Sequence, residues 1–480
     1  MSELPSYDWV WINGEPTPPR DGGMRREVVF PATGWPVATV CLGGQADIHA
    51  AVIAARAAFD SGPWPLTAPA ERVRVLRRAH ELLTKDIDAL TTVLTHETGS
   101  PVVMGAAPVS LLIILHAADV LEADRLEERV SGMLGLDAIV RRVPVGVVAA
   151  IAPWNAPLFL SLNKVAPALA AGCTVVLKPD PRTPLDAYLV AKALADAGLP
   201  PGVLNVVPAE RETAETLVAH PAVDHVSFTG STAAGRRIAS LCGQHVTSVT
   251  LELGGKSAAI LLDDADLGTH LPLVIAGGLL NTGQACAALS RVLVPRSRQD
   301  EMVEALVAAV DDLAIGDPFS PDTVIGPIVD EQHLQKIESY VSQAQAEGTR
   351  VATGGGRPER NEGTWYLPTV LVDADNGMRV AREEIFGPVL TVIAYDDDEQ
   401  AVRIANDSDY GLSGAVFGSD TDRAMGLARR FRSGTVGVNS LGIDPAFPFG
   451  GFKDSGIGRE LGKEGLSTYL TTQTIGLPAL

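Results

Sequence analysis

Between residues 143 and 260, short apolar runs alternate with segments whose apolar residues recur at helical spacing. The runs are rich in β-branched residues and predict strands at 145–151, 173–177, 203–207, 225–228 and 248–251. The segments between them predict helices at 158–171, 185–197, 213–220 and 233–241. Because strands joined by helices are typical of a parallel sheet, this pattern predicts a doubly wound α/β domain.

Similar patterns flank this region on both sides. Residues 48–118 are predicted to be largely helical, and Val73, Leu76, Ala79 and Leu83 share one face of a helix at 71–85. Downstream, segments 301–313 and 332–347 predict helices, and runs at 369–372, 389–395 and 435–439 predict strands. We therefore expect a second α/β unit after the first.

Composition and charge narrow the class of protein. The 480 residues suffice for about three core-forming units, and 46% hydrophobic with 20% charged residues indicates a globular enzyme rather than a disordered chain. The formal net charge of −20 disfavours a nucleic-acid partner, because the average surface repels phosphates. The four cysteines form no CxxC pair, and the first 11 residues lack the basic start of a signal peptide, so we expect a cytoplasmic protein.

Several common site motifs are missing. No predicted strand is followed by G-x-G-x-x-G, and Thr250 stands where a phosphate loop ending in Gly255-Lys256-Ser257 needs its first glycine. The absence of G-x-S-x-G disfavours a serine hydrolase. We assign no metal, because the nine histidines include no HExxH and no cluster with cysteine at zinc spacing.

Three polar residues are candidates for chemistry. Cys286 lies among small residues that would let a substrate approach its sulfur, although a lone cysteine is also a common buried apolar residue. Glu252 ends a predicted strand, at the sheet edge where α/β proteins place their sites. Asn155 follows another strand, where an amide can cap a helix or stabilise an oxyanion. In addition, Gly230 and Ser231 precede a predicted helix, whose free N–H groups could bind a pyrophosphate.

In their order along the chain, these pieces resemble the aldehyde dehydrogenase superfamily. The separation of 34 residues between Glu252 and Cys286 also matches the spacing of base and nucleophile in that family. The resemblance covers nearly the whole chain. It rests on Ile12-Asn13-Gly14, Pro153-Trp154-Asn155, Lys178-Pro179, Phe228-Thr229-Gly230-Ser231, Glu252-Leu253-Gly254-Gly255-Lys256, Gly283-Gln284 with Cys286, Glu383-Glu384-Ile385-Phe386-Gly387-Pro388, and Pro448-Phe449-Gly450-Gly451.

The resemblance implies an NAD-dependent oxidation of the hydrolytic type. Cys286 would attack the aldehyde to form a thiohemiacetal, whose oxyanion the Asn155 amide and the Cys286 backbone N–H would hold. Hydride would pass to NAD, and water activated by Glu252 would hydrolyse the thioester. Two alternatives remain: a CoA-acylating dehydrogenase, which needs no general base, and a non-catalytic binding or structural relative. The presence of both Glu252 and Cys286 disfavours them.

The resemblance also implies cofactor contacts. It assigns them to Trp154, Lys178, Gly230, Ser231, Leu253, Glu384 and Phe386. Pro181 stands where the family commonly has a glutamate that binds the ribose hydroxyls. Asp180 is expected to repel a 2′-phosphate, which favours NAD over NADP.

Substrate and assembly are expected from the same resemblance. The substrate tunnel would be lined by Ala156, Leu160, Asn163, Ala285, Ala287 and Phe449. Several of these are small, which predicts bulky apolar or aromatic aldehydes. We expect a Rossmann-like dinucleotide-binding domain at 1–125 and 144–253 and a catalytic domain at 254–455. A small β element at 126–143 and 456–480, with a hairpin and the last strand at 469–477, would join copies into a homodimer or homotetramer.

Overall fold

The structure, a computed structural model, describes residues 4–360 and 362–478. Its strands, in chain order, are β1 (Val10–Ile12), β2 (Glu15–Thr17), β3 (Met24–Phe30), β4 (Trp35–Leu42), β5 (Glu127–Ser131), β6 (Asp137–Pro144), β7 (Val147–Ile151), β8 (Thr174–Lys178), β9 (Leu204–Val206), β10 (His225–Thr229), β11 (Ser248–Glu252), β12 (Ala258–Leu261), β13 (Arg291–Pro295), β14 (Arg350–Thr353), β15 (Thr369–Val372), β16 (Val389–Tyr395), β17 (Ser413–Phe417), β18 (Thr435–Val438), β19 (Gly456–Ile457) and β20 (Leu470–Gly476).

Helices connect most of these strands. They are α1 (Gln45–Asp60), α2 (Pro69–Lys85), α3 (Ile87–Thr98), α4 (Ala106–Ala123), α5 (Pro157–Ala171), α6 (Leu185–Asp196), α7 (Arg211–Val218), α8 (Thr232–His245), α9 (Leu267–Gly278), α10 (Gln299–Asp311), α11 (Glu331–Ala346), α12 (Arg379–Arg382), α13 (Asp398–Asn406), α14 (Thr421–Ala428) and α15 (Gly462–Ser467).

The first sheet contains the predicted doubly wound unit. Its strand order is β19-β11-β10-β7-β8-β9-β1-β2, and β11, β10, β7, β8 and β9 are parallel. All five predicted strands are confirmed, with ends within two residues of the prediction. Strand β7 is buried at every position, because helices cover both faces of the sheet.

The second sheet has the order β14-β15-β16-β13-β12-β17-β18 and is parallel except at β14. The predicted strands β15, β16 and β18 are confirmed. Strands β12, β13 and β17 were not predicted. They are short and almost fully buried, and periodicity alone does not separate such runs from buried helix segments.

A third sheet has the order β20-β6-β5 and is antiparallel. It joins the hairpin of β5 and β6 to the last strand, with Leu470 opposite Pro144. The side chains of β20 are exposed from Thr471 to Gly476. Strand β19 belongs elsewhere: Ile457 pairs with Leu251 of the first sheet, although the sequence grouped residue 457 with the hairpin.

One segment, Val102–Ala123, has the length and mean hydropathy (1.8) of a membrane-crossing helix. It includes α4, which packs against α2 and α5. Its residues Ala107, Leu111, Ile114 and Leu121 are buried in the core between those helices. Packing inside the fold therefore accounts for part of its apolar composition, and Val103, Val109 and Leu112 are exposed.

The first sheet positions the polar residues singled out by the sequence. Trp154 and Asn155 follow the end of β7, Gly230 follows β10, and Glu252 is the last residue of β11. Since the three strands are parallel neighbours, their carboxyl ends meet at one edge of the sheet. The loop between α9 and β13, which carries Cys286, reaches this edge from the second unit.

Candidate active site

A cavity of about 270 Å³ opens at this edge. Its wall contains Cys286, Glu252 and Asn155, which are the three residues predicted to be catalytic. The residues predicted to line the substrate tunnel lie on the same wall: Ala156, Leu160, Asn163, Ala285, Ala287 and Phe449. The geometry thus brings together residues that lie far apart in the sequence and leaves a space for a small organic molecule.

Glu252 is almost fully buried, with 3% of its surface exposed. Neither carboxylate oxygen has a hydrogen-bond partner within 4–360 and 362–478. Burial raises the pKa of Glu252 well above its usual range, and the nearby carboxylate of Glu460 raises it further. Gly450 leaves room for this side chain, since an added Cβ there would lie 2.6 Å from Glu252 Oε1.

Two residues that the sequence did not indicate lie behind Glu252. The Nζ of Lys164 on α5 contacts Glu460 Oε1 at 2.5 Å and donates to Thr229 Oγ1 at 2.6 Å. Both charged side chains are buried. The positive charge of Lys164 opposes the effect of Glu460 on the pKa of Glu252. Glu460 lies outside every motif quoted above, so no local signal could have found it.

Cys286 is the one partly exposed cysteine of the described chain, and Cys41, Cys173 and Cys242 are buried. The loop before it turns through positive φ at Asn281, Thr282 and Gly283. Gly283 is required there, because an added Cβ would lie 2.1 Å from the carbonyl oxygen of Gly387. Burial raises the pKa of Cys286 to about 12, and the carboxylates of Glu384 and Glu252 contribute to that rise.

Asn155 ties the start of α5 to the loop of Cys286. Its Nδ2 donates to the Gln284 carbonyl at 3.0 Å, and its own carbonyl accepts from Asn281 Nδ2 at 2.9 Å. A primary amide nitrogen carries two N–H groups, so one remains for a group in the cavity. This arrangement can stabilise a negative oxygen next to Cys286.

The residues expected to bind pyrophosphate lie at the start of α8. Ser231 caps this helix by accepting from Ala234 N, and Gly230 N donates to the Glu252 carbonyl at 3.0 Å. An added Cβ at Gly230 would lie 2.5 Å from the ring of Phe228, so a larger residue would clash with that ring. Leu253 packs against Gly235 of the same helix. Ser231 is exposed, and the exposed, positive end of a helix fits a phosphate group.

Asp180, whose charge is expected to repel a 2′-phosphate, is paired with a cation in the structure. Arg182 Nε contacts Asp180 Oδ1 at 2.9 Å, and its Nη1 contacts Asp330 at 3.0 Å. The guanidinium also lies 4.9 Å from the ring centre of Trp154. The pKa of Asp180 is lowered: burial would raise it, but Arg182 outweighs that effect. The repulsion expected from Asp180 is therefore largely neutralised by a cation that the sequence reasoning overlooked.

Lys178 and Glu384 border the same edge of the sheet. Burial lowers the pKa of Lys178, which lies near Asp180 and Glu210. Glu384 Oε1 accepts from Gly255 N at 3.0 Å, and burial raises the pKa of its carboxyl. Lys336, which the sequence analysis missed, donates to the Glu384 carbonyl at 3.3 Å.

Phe386 belongs to an aromatic cluster beside Glu384. Its backbone has a φ of 63°, and its ring meets that of Trp154 edge-on at 5.5 Å. His333 completes the cluster and donates from Nε2 to the Phe386 carbonyl at 2.6 Å. Burial lowers the pKa of His333 to about 4, so its imidazole is neutral at pH 7. The charged side chains of Lys178 and Glu384, the exposed start of α8 and the aromatic rings lie along one edge of the sheet, and such a set of groups fits a dinucleotide.

Comparisons with known proteins agree with this geometry. The model of the aldehyde dehydrogenase family matches residues 19–475. The geranial dehydrogenase of Castellaniella defragrans is 43% identical over 476 residues, covering 98% of this chain and 99% of that protein. The 3-succinoylsemialdehyde-pyridine dehydrogenase of a Pseudomonas species is 41% identical, covering 98% of each.

A solved structure gives the same result. The crystal structure of Mycobacterium tuberculosis aldehyde dehydrogenase complexed with NAD+ superimposes with a TM-score of 0.97 at 44% identity. The match covers 99% of each chain. Because the family model, the curated relatives and this structure each match over nearly the full length, the chain belongs to the aldehyde dehydrogenase family.

Proposed function

We propose that this protein oxidises bulky apolar or aromatic aldehydes to carboxylic acids with NAD+, using Cys286 as nucleophile and Glu252 as general base. The observation that carries the proposal is that Cys286, Glu252 and Asn155 all line one cavity. The direct test is NADH formation by the purified protein from a panel of aldehydes, together with identification of the carboxylic acid product.

The first step is addition of Cys286 to the aldehyde. The Cys286 thiol is protonated in the resting site, because its pKa is raised to about 12. As the sulfur–carbon bond forms, the thiol proton passes to a water molecule in the cavity, and the aldehyde oxygen becomes an oxyanion within reach of the Asn155 amide. When bound, NAD+ would supply the hydride acceptor, and loss of hydride from the thiohemiacetal would leave the thioester on Cys286.

The second step is hydrolysis of the thioester left on Cys286. Water adds to the thioester carbon, Glu252 accepts a proton from that water, and the Cys286 sulfur is the leaving group. A carboxylate in ordinary solution is a weak base at neutral pH. The burial of Glu252 and the neighbouring Glu460 raise its pKa, which makes it a stronger base for this proton.

This proposal separates the protein from a CoA-acylating dehydrogenase. An acylating enzyme passes the thioester to CoA and has no use for a buried carboxylate near the sulfur. Glu252 lines the cavity beside Cys286, which supports hydrolysis. Acid formation that does not depend on added CoA is the expected result, and acyl-CoA as the product would overturn it. A non-catalytic relative would form no NADH with any aldehyde.

NAD+ is the proposed cofactor, held by Lys178, the start of α8 and Glu384. The relative from Mycobacterium tuberculosis is complexed with NAD+, and its chain matches this one throughout. The contacts expected at Trp154, Leu253 and Phe386 would complete the site. Pro181 offers no side-chain acceptor for the ribose hydroxyls, so Lys178 is the proposed ribose contact.

The proposed substrate preference rests on the size and lining of the cavity. The small side chains of Ala156, Ala285 and Ala287 leave space close to the sulfur, and Leu160 and Phe449 are apolar. The names of two relatives, a geranial dehydrogenase and a 3-succinoylsemialdehyde-pyridine dehydrogenase, also refer to large aldehydes. Each CH₂ buried by a longer substrate contributes up to about 0.8 kcal/mol.

We also propose that copies of the chain associate through the third sheet as a homodimer or homotetramer. The exposed β20 forms one edge of that sheet, and an unpaired strand edge can pair with another chain. The division into a dinucleotide-binding unit, a catalytic unit and this association element remains a proposal, as does a cytoplasmic location. Light scattering of the purified protein measures the number of copies.

A further inference from the structure

Asn163 is a polar residue without a protein partner in the wall of the apolar cavity. It lies on α5 and is 2% exposed. Its Oδ1 is buried and accepts no hydrogen bond from any residue in the described ranges. An unsatisfied buried amide costs about 1–3 kcal/mol, so a group that enters the cavity and bonds to it recovers that free energy.

Three other polar side chains of the cavity, those of Ser110, Thr98 and Gln284, are bonded to the protein. Ser110 donates to the Ala106 carbonyl at 2.5 Å, and Thr98 donates to the Leu94 carbonyl at 2.6 Å. Gln284 accepts from Val329 N at 3.0 Å and donates to the Pro327 carbonyl at 3.2 Å. Because these side chains already form hydrogen bonds within the protein, they contribute little to binding a polar group of a ligand. Asn163 differs from them because its hydrogen-bonding capacity is unused.

The place of Asn163 along α5 indicates how far it lies from the residues around Cys286. Ala156, at the start of α5, lies beside the Asn155 amide, and Ala156, Leu160 and Asn163 are spaced to share one face of the helix. Seven residues of α-helix rise about 10 Å, so Ala156 and Asn163 are separated by roughly that distance along α5. An extended alkyl chain advances about 1.3 Å per bond, so a substrate covers this distance with roughly eight bonds.

A second, smaller cavity adjoins Asn163 on its far side. It measures about 10 Å³ and is also lined by His116, whose Nε2 has no partner in the described part of the chain. A space of that size is at the lower limit for one water molecule. The rest of its wall is apolar apart from glycine backbone, for example Ile113, Val120 and Leu466. Asn163 therefore lies between the large cavity and this small, mostly apolar one.

We propose that Asn163 recognises a hydroxyl group at the far end of the substrate, so that the preferred aldehydes are long apolar molecules with a terminal hydroxyl. A hydroxyl both donates and accepts, so it can bond to an amide in either of its two orientations. A methyl group in the same place would leave the amide unpaired. This inference rests on the proposed function, because it assumes that long apolar aldehydes occupy the cavity.

The test compares aldehydes of equal size that differ only at the far end. The pair is 8-hydroxyoctanal and nonanal, and the short pair 3-hydroxypropanal and butanal is the control, since neither member reaches Asn163. For the natural sequence we expect a higher kcat/KM for 8-hydroxyoctanal than for nonanal. Asn163→Leu keeps the side-chain volume but removes the amide. In this variant the kcat/KM for 8-hydroxyoctanal divided by that for nonanal should fall about tenfold.

Ser110→Ala is the matched control variant, because the Ser110 hydroxyl lines the same cavity but is already bonded to Ala106. This variant should not change the ratio of kcat/KM for 8-hydroxyoctanal to kcat/KM for nonanal. A ratio that is the same in the natural sequence and in Asn163→Leu would overturn the role of Asn163. If Asn163→Leu does not fold, ω-hydroxyaldehydes of increasing length give the same information, since the preference over the methyl analogue should peak near 8-hydroxyoctanal.

The outcomes also separate this inference from the proposed function. If neither long aldehyde is oxidised more efficiently than butanal, the preference for large aldehydes is wrong. If both long aldehydes are preferred equally over butanal, the large cavity is used but Asn163 does not select a hydroxyl.

Discussion

Lys164 and Glu460 form a buried ion pair, with 2.5 Å between Nζ and Oε1, close enough to Glu252 for both charges to act on its carboxylate. The two charges have opposite effects: Glu460 raises the pKa of Glu252, and Lys164 lowers it. Burial raises the pKa of the proposed base most, and this ion pair adjusts that pKa further.

Replacing Glu460 by Gln should shift the pH dependence of thioester hydrolysis to lower pH. The substitution removes the negative charge that raises the pKa of Glu252, while Lys164 keeps its positive charge. The ionised, active form of the base then persists at lower pH. The acidic limb of the kcat–pH profile measures this shift. Glu464→Gln, an exposed change on α15, is the control and should leave the profile in place.

Cys286→Ala should abolish aldehyde oxidation while NAD+ still binds. The covalent step is lost, but the start of α8 and Lys178 are unchanged. Equilibrium binding of NAD+ and the rate of NADH formation test the two halves separately. Cys242→Ala removes a buried thiol away from the cavity and should retain activity. Substantial NADH formation by Cys286→Ala would show that another group is the nucleophile.

Glu252→Gln should slow hydrolysis of the thioester more than hydride transfer. We expect a rapid burst of NADH, of about one equivalent per active site, followed by a slow steady state, because the acyl group stays on Cys286. Stopped-flow absorbance resolves the two phases. A burst and a steady rate that fall by the same factor would mean that Glu252 acts mainly before the thioester forms.

Ala156→Phe should reverse the preference for substrate size. A phenyl ring at this position fills space beside Cys286, so activity on a bulky aromatic aldehyde should fall while acetaldehyde is still oxidised. The ratio of kcat/KM for the two aldehydes measures the effect. Equal loss on both substrates would indicate that residue 156 does not set the size limit.

Asp180→Ser should raise kcat/KM for NADP+ relative to kcat/KM for NAD+. The substitution removes the carboxylate that occupies Arg182, and the freed guanidinium can then meet a 2′-phosphate. A single charge change of about 1 kcal/mol corresponds to about fivefold in the ratio of kcat/KM values. Arg182→Ala should change the ratio in the opposite direction. If neither substitution moves it, this ion pair lies too far from the ribose to select the cofactor.

The sequence by itself determined the parallel units of the first sheet and the identity of the reactive groups. The strands and helices from residue 145 to 251 follow from apolar spacing, because each element must bury one face. The roles expected for Cys286, Glu252 and Asn155 rest on motifs whose order along the chain is itself a sequence property. The structure places these residues around one cavity.

Only the tertiary structure decided which charges and amides meet. Lys164 and Glu460 are 296 residues apart, and nothing in the local sequence of either one indicates the other. Asp180 carries a charge in the sequence, but its pairing with Arg182 depends on how the loop after β8 turns. Asn163 lies within a predicted helix, yet its unpaired amide in an apolar wall depends on packing by α4 and the loop of Cys286. Such contacts form when separate elements pack together, and periodicity along one segment carries no information about them.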